Sequence, residues 1–291
     1  MERRGISSRR ACELLGLSRR WRSYQSQRRE RDMVERLKEL ARRYPRFGYR
    51  RLHQMLRRQR VVINVKRVRR LCVISGLKLP AKRRKKRCGR GVKPPVIAEF
   101  PNHVWAYDFV FDWCENGRQL KILTVADEFT RECLAIEVDH RMGARQVCAV
   151  LVGIMERRGV PQFVRSDNGP EFIAKALQRM LAVKGVTCRH IDPGSPWQNG
   201  KCERFNGIFR DECSNMETFH HRDHARAVCR LFQRYYNHQR PHSSLGYRTP
   251  VEFSQRQPLA AAGCVVSDLN VPSPAAAMGC RNPAGQASLS L

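Results

Sequence analysis

Asp108 stands in the middle of an apolar, strand-like run, Trp105-Ala106-Tyr107-Asp108-Phe109-Val110. Any fold of this chain must bring a cation or hydrogen-bond donors to that carboxylate, because an ionised group among such neighbours is costly when nothing compensates it. The runs around it narrow the choice. Strand-like segments at residues 104–111, 120–126 and 133–138 are separated by the turn-forming Glu115-Asn116-Gly117 and by residues 127–130, which predicts three antiparallel strands. Beyond them the period alternates: a helix at about 144–157, a short strand at 162–165, a helix at about 171–184 and a strand at 186–190. A Pro/Gly loop at 193–197 leads through Asn199-Gly200 into a helix reaching about 215, and another spans about 222–236. The order βββαβαβα describes an α/β fold, a mixed sheet flanked by helices.

Two further acids sit where this order lets them join Asp108. Asp167 closes the fourth strand within Ser166-Asp167-Asn168-Gly169, at the carboxyl end where α/β sheets receive ligands. Glu203 lies in the first turn of the helix after Asn199-Gly200. Singly, an Asp before Asn-Gly is an ordinary turn residue, and a Glu in a first helical turn is an ordinary complement to the helix dipole. Together, if strands one and four are neighbours, the three form an all-oxygen cluster suited to Mg²⁺.

Charge divides the chain. Its net formal charge is +30, and residues 1–100 carry 33 Lys/Arg against 7 Asp/Glu, so the first third is a basic arm made for a polyanion. Residues 1–29 read as a short helix-turn-helix-like segment around Gly16-Leu17-Ser18. Residues 30–80 read as a second one: an amphipathic helix at 31–43, a turn at Arg46-Phe47-Gly48-Tyr49, then the apolar faces Leu52, Met55, Leu56 and Val65, Val68, Leu71, Cys72. Arg46, Tyr49, Arg50, Lys66, Arg67, Arg69 and Arg70 are its candidate DNA contacts. Residues 81–100 form a basic linker whose glycines and Pro94-Pro95 resist packing, and residues 255–291, rich in Ala, Pro, Ser and Gly, form a tail without periodicity, expected to be disordered.

No run approaches the roughly 18 residues of apolar sequence that span a bilayer, and the N-terminus lacks a secretory apolar region. The expectation is a cytoplasmic, nucleoid-associated protein that does not engage membrane. No two of the 12 cysteines are closer than Cys202 and Cys213, so no zinc knuckle exists and the thiols are expected reduced and mostly buried. His220, His221 and His224 cluster near a helix start and are assigned no metal.

Four ordered segments carry a family likeness: residues 105–112, SDNGPEF at 166–172, PGSPWQNGKCERFNGIFRDE at 193–212 and YNHQRPHSSLGYRTPVEF at 236–253. They resemble bacterial insertion-sequence transposases with a retroviral-integrase-like Asp-Asp-Glu core, and the 35 residues between Asp167 and Glu203 match that class. The resemblance covers residues 46 to about 254 and implies an RNase H-like catalytic domain at 101–254. It implies that Asp108, Asp167 and Glu203 bind two magnesium ions, with manganese as a substitute, and that Arg210 contacts DNA. Lys201 and Arg204, which flank the glutamate where relatives carry mostly small or apolar residues, join the candidate DNA contacts. The implied partners are double-stranded DNA (the element's terminal repeats and a target), further copies of the chain on that DNA, and a protein from an upstream reading frame, separate or fused. The implied activity is cleavage at transposon ends followed by strand transfer from the freed 3′-OH.

Three other readings stand beside it: a terminus-binding protein or repressor from a decayed element, a nuclease of the same fold, and a tyrosine recombinase built on His238, Arg240, His242 and Tyr247. The last leaves the three acids unexplained.

Overall fold

The computed structural model describes residues 7–18, 30–80, 97–167, 169, 171–190 and 200–256. The second half of the first helix-turn-helix-like segment, nearly all of the basic linker, the loop before Gly200 and the C-terminal tail lie outside the described residues.

After a short helix α1 (Ser8–Leu14), three helices form the basic region: α2 (Arg31–Arg43), α3 (Tyr49–Arg58) and α4 (Val65–Ile74). The periodic apolar residues do what their spacing dictates. Leu37 and Leu40, Leu52 and Leu56, and Val68, Leu71 and Cys72 meet in one small core around Phe47. Val65, read as part of the apolar face, is instead 39% exposed at the first position of α4. Asn64 starts that helix by accepting the Lys66 N–H at 2.8 Å.

The region from residue 101 onward is built on a five-stranded sheet ordered β3-β2-β1-β4-β5. Strands β1 (Val104–Trp113), β2 (Gln119–Asp127) and β3 (Cys133–Asp139) are antiparallel neighbours, while β4 (Phe163–Ser166) and β5 (Thr187–His190) run parallel to β1 and to each other. Gly117 turns the first hairpin with φ +74°, a conformation open to glycine at little cost. Asp127 closes the second: Oδ1 accepts the N–H groups of Phe129 (2.8 Å) and Thr130 (2.9 Å), and Oδ2 that of Asn102 (2.7 Å).

Period-two alternation splits β1 between two cores. Trp105 and Tyr107 face α5 (Ala144–Arg158) and α6 (Lys175–Val183), packing with Val147, Leu151 and Leu177. Val110, and with it Asp108, faces α7 (Gly200–Glu212) and α8 (Arg222–His238), where Phe205, Phe209 and Phe232 fill the layer. Helix α6 begins at Lys175, not near 171. The N–H groups of Phe172 (2.9 Å) and Ile173 (3.1 Å) bond back to the Gly169 carbonyl, and Phe172 is drawn inward to stack on Phe109, so this stretch is a turn.

The helical region packs against this domain. Tyr44 stacks on Tyr235 of α8 with centroids 5.8 Å apart, and Arg58 pairs at 2.6 Å with Glu252 in the short helix α9 (Pro250–Ser254). Arg51 reaches Glu212 at 3.4 Å.

Candidate active site

The backbone brings two of the three acids level. Ala106 of β1 pairs with Arg165 of β4, and the strands run in the same direction, so two residues on Asp108, in the middle of β1, and Asp167, just past the carboxyl end of β4, occupy matching positions. Asp108 is half-buried opposite Thr124 of β2, whereas Asp167 is exposed just beyond Ser166. One oxygen of Asp167 accepts the Gly169 N–H at 3.0 Å, the turn contact its Asp-Asn-Gly setting favours.

The neighbourhood moves the proton affinity of Asp108. Burial pushes its carboxyl up to about 6, and the Asp167 charge adds to that; the Phe109 N–H, the Asn206 amide and the Arg210 guanidinium pull the other way. The Phe109 N–H donates to Oδ1 at 2.8 Å and Asn206 Nδ2 to Oδ2 at 2.9 Å.

Helix α7 supplies the opposite wall. Positions 203, 206 and 210 fall on one helical face. Asn206 touches Asp108 and Arg210 acts on it electrostatically, so Glu203 belongs to that face one turn nearer the helix start. Its carboxylate is exposed, and among the described residues no three His, Cys, Asp or Glu side chains converge closely enough to hold a metal ion. The donor set still suits a hard divalent cation. Two carboxylates at matching positions on neighbouring strands, one driven toward protonation by burial and by the other's charge, are oxygen ligands short of positive charge.

The basic candidates divide by their partners. Lys201 pairs with the buried Glu128 at 3.2 Å, and Glu128 also holds the buried Arg165 at 2.6 Å. Arg204 and Arg210 are exposed on either side of the Asn206 position. In the helical region Lys66 and Arg69 are exposed, Arg50 donates to the Tyr49 hydroxyl at 3.2 Å, Arg67 and Arg70 share Glu30, and Arg46 donates to the Asp211 carbonyl at 3.2 Å.

Two residues of the recombinase reading, Arg240 and His242, are buried. Arg240 is 1% exposed and grips Glu212 with two bonds of 2.7 and 2.6 Å. Burial beside Arg240 and Arg51 drives His242 down to about 3, so its imidazole is neutral. His220 pairs with Glu115 at 2.7 Å, and His221 accepts the His224 N–H at 3.2 Å at the start of α8.

Sequence reasoning missed Asn206 and Thr124. Asn206 bridges the two sides of the site, its Nδ2 on Asp108 and its Oδ1 accepting from Thr124 Oγ1 at 2.9 Å. Its position one turn after Glu203, on the same face, is the signal by which it could have been found.

Two stretches of the chain, residues 98–196 and 184–250, match the family described as Integrase core domain, and residues 27–86 match the HTH-like domain family. The chain is 44% identical over 259 residues to the 31.7 kDa protein of insertion element IS407 from Burkholderia multivorans, covering 88% of this chain and 93% of that one. It is 41% identical to the 39.2 kDa protein of IS476 from Xanthomonas euvesicatoria, over 87% and 74% of the two. Against the transposase InsD of IS2 from Escherichia coli the identity is 29%, over 78% and 79%. Among solved structures, the catalytic core of HTLV-2 integrase in complex with magnesium aligns with a TM-score of 0.42 at 16% identity, over 57% of this chain and 99% of that one. A chain of the simian T-cell lymphotropic virus intasome in complex with PP2A regulatory subunit B56 gamma aligns with a TM-score of 0.49 at 14% identity, over 81% of this chain and 80% of that one.

Proposed function

The chain belongs to the insertion-element transposase family, whose integrase core and HTH-like domain it carries, and we propose that it cuts DNA at the ends of its element and joins them to a target through Asp108, Asp167 and Glu203. As a transposase with an integrase core it is a polynucleotidyl transferase of the Asp-Asp-Glu type. The observation that carries the residue assignment is the level placement of Asp108 and Asp167 on parallel neighbours, with the Glu203 face of α7 opposite.

The same centre performs two in-line displacements. In the first, a water oxygen attacks the phosphorus at the element's end, the bond to the 3′-oxygen breaks, and a 3′-OH is released. In the second, that 3′-OH attacks a target phosphodiester, and the target's own 3′-oxygen departs with a proton. No covalent protein intermediate is needed, because only the nucleophile changes. A pair of divalent cations, magnesium or manganese, supplies when bound the Lewis acidity that activates the nucleophile and neutralises the leaving oxygen. The three carboxylates are the residues that would hold them.

The chain's own groups prepare that centre. Asn206 and the Phe109 N–H fix the Asp108 carboxylate from two sides, and Thr124 fixes Asn206. Arg210 and Arg204, exposed along α7, offer charge to the incoming phosphate backbone. Lys66 and Arg69 on α4 and Arg50 on α3 extend that track, so the helical region contributes affinity for double-stranded DNA. Joining two ends to one target calls for more than one copy of the chain on DNA, and an upstream reading-frame product is its further partner. Among the described residues no helix is long and apolar enough to cross a membrane, and the proposed setting is the bacterial nucleoid.

The test uses a terminal duplex that is already nicked to expose its 3′-OH, a second duplex, Mg²⁺ and the upstream protein. Joining that a 3′-deoxy end abolishes, and that Asp108→Asn, Asp167→Asn and Glu203→Gln each reduce by orders of magnitude without loss of DNA binding, is the expected result. Hydrolysis without joining would make the protein a nuclease of the same fold. Binding with neither reaction would make it a terminus-binding repressor.

A further inference from the structure

A cavity of about 290 Å³ opens beside the first turn of α7, on the far side of that turn from the Asp108 carboxylate. Phe205, Ile208 and Tyr236 give its lining an apolar part, and Arg131, Arg204 and the neutral His242 a polar one that also includes the acids Asp127 and Glu128. None of these residues is used by the chemistry proposed above except Arg204, as a backbone contact.

Arg131 is the anomaly. It follows the Asp127 turn between β2 and β3 and adopts φ +64°, a left-handed conformation in which asparagine or glycine is the ordinary choice. Its guanidinium is half-buried, yet among the described residues it makes no hydrogen bond or ion pair. The nearby acids are committed elsewhere. Asp127 is occupied by three backbone N–H groups, and Glu128 by Arg165 and Lys201. Glu212 is taken by Arg240 and Arg51. Arg131 feels the charges of Asp127 and Glu128, which also line the cavity, but among the described residues neither its guanidinium nor that of the exposed Arg204 has an ion-pair partner, and the lining holds more cationic than anionic side chains.

His242 supplies a second, independent deficit. The ring is 6% exposed, bonded through one nitrogen to the Tyr236 backbone, and its Nε2 has no partner among the described residues. With the ring neutral, that nitrogen is an acceptor, and a buried acceptor without a donor lowers the stability of the empty protein. A ligand that satisfies the polar part of the lining brings an anion for the arginines and an N–H or O–H donor toward the histidine. One that satisfies the apolar part brings a flat apolar face. At about 290 Å³, near the lower end for ligand cavities, there is room for one such unit and not a chain of them.

We propose that this cavity takes a single unstacked nucleotide of the DNA strand lying across the site, its phosphate on Arg131 and Arg204 and its base against Phe205 and Tyr236. Pulling one base from the stack is unfavourable and is offset by a shaped pocket of mixed apolar and polar lining. Held there, beside the turn that carries Glu203, the extruded nucleotide fixes the register of the strand relative to the acids. The proposal rests on the DNA-processing reading of the chain, and it names a contact that reading does not require.

The experiment scans 2-aminopurine, one substitution per oligonucleotide, through duplexes bearing the element's terminal sequence, each saturated with full-length protein. Cleavage of the unlabelled duplex is followed in the same preparation. One position should brighten several-fold in the wild type, stay dark with Arg131→Asn, which tolerates the left-handed backbone, and brighten again with Arg131→Lys. If Arg131→Asn does not fold, Arg204→Gln replaces it with the same expectation of a darkened position. Brightening without cleavage upholds the pocket and counts against the transposase chemistry. Cleavage without brightening at any position, or unchanged brightening in Arg131→Asn, overturns the pocket alone. Free deoxyadenosine monophosphate that raises the melting temperature of the wild type but not of Arg131→Asn, with no position brightening, would assign the cavity to a free nucleotide and overturn the strand proposal.

Discussion

Asn206 holds Asp108 from the helix side of the site: its Nδ2 donates to Oδ2 at 2.9 Å while its Oδ1 accepts from the Thr124 hydroxyl at 2.9 Å. Thr124 in turn lies directly across β2 from Asp108 and also reaches the Asp108 carbonyl at 3.2 Å. Asn206 is buried, so this three-residue chain has little freedom to rearrange. It fixes both the position of one carboxylate oxygen and the side from which it accepts.

A positioning residue of this kind is tested by removing its donor and keeping its shape. Asn206→Asp should lower the cleavage rate by about 10- to 100-fold, the usual cost of losing a partner that orients a ligand residue. A second negative charge should also raise the Asp108 carboxyl further above its present value near 6, moving the acid limb of the pH–rate profile to higher pH. Asn206→Ser, which keeps a small donor without the added charge, should recover the profile but not all of the rate. An unchanged profile in Asn206→Asp would remove Asn206 from the site.

The raised carboxyl has a consequence for stability without metal. Asp108 binds its proton more tightly in the folded chain, at about 6 against an ordinary 3.8. The folded state is therefore favoured at low pH and loses stability as pH climbs from about 4 to above 6. Asp108→Asn removes the penalty and should stabilise the metal-free protein at pH 7.5 by about 1–3 kcal/mol, with no gain below pH 4. Added Mg²⁺ should raise the melting temperature of the wild type and leave the variant unmoved. Denaturant curves at the two pH values read both effects, and equal stability of variant and wild type at pH 7.5 would refute the argument.

Much of this site could be read before any coordinates. An aspartate in an apolar run announces itself because its neighbours cannot solvate it. The order of strands around it is enough to make β1 and β4 candidates for neighbours, and the i, i+7 relation of Glu203 and Arg210 puts both on one face of α7. Asn206 escaped because an amide in a helix carries no charge to mark it. Arg131 escaped because its meaning lies in a positive φ and an absent partner, neither of which is written in residue type. The packing of the helical region on the sheet domain escaped for another reason. Arg51 and Glu212 are 161 positions apart, and nothing local in either segment specifies the other.

Glu212 at the end of α7 carries the last prediction. Its side chain is 8% exposed and accepts two bonds from Arg240, itself 1% exposed, and a longer one of 3.4 Å from Arg51 of the helical region. One carboxylate thus separates two guanidinium groups that repel each other. Glu212→Ala leaves Arg240 buried and uncompensated, and the expected loss is about 3–5 kcal/mol. Glu212→Gln keeps an acceptor and should lose less. The sign of a second substitution identifies the mechanism. In the wild type, Arg51→Met removes an attraction and should cost on the order of 1 kcal/mol or less, because Arg51 is only partly buried. In the Glu212→Ala background the same change removes a repulsion and should restore stability. A double-mutant cycle by urea unfolding measures the inversion. If Arg51→Met destabilises both backgrounds equally, Glu212 does not mediate between the two arginines, and the helical region is held to the sheet domain by other contacts, among them Tyr44–Tyr235, Arg58–Glu252 and Arg46 on the Asp211 carbonyl.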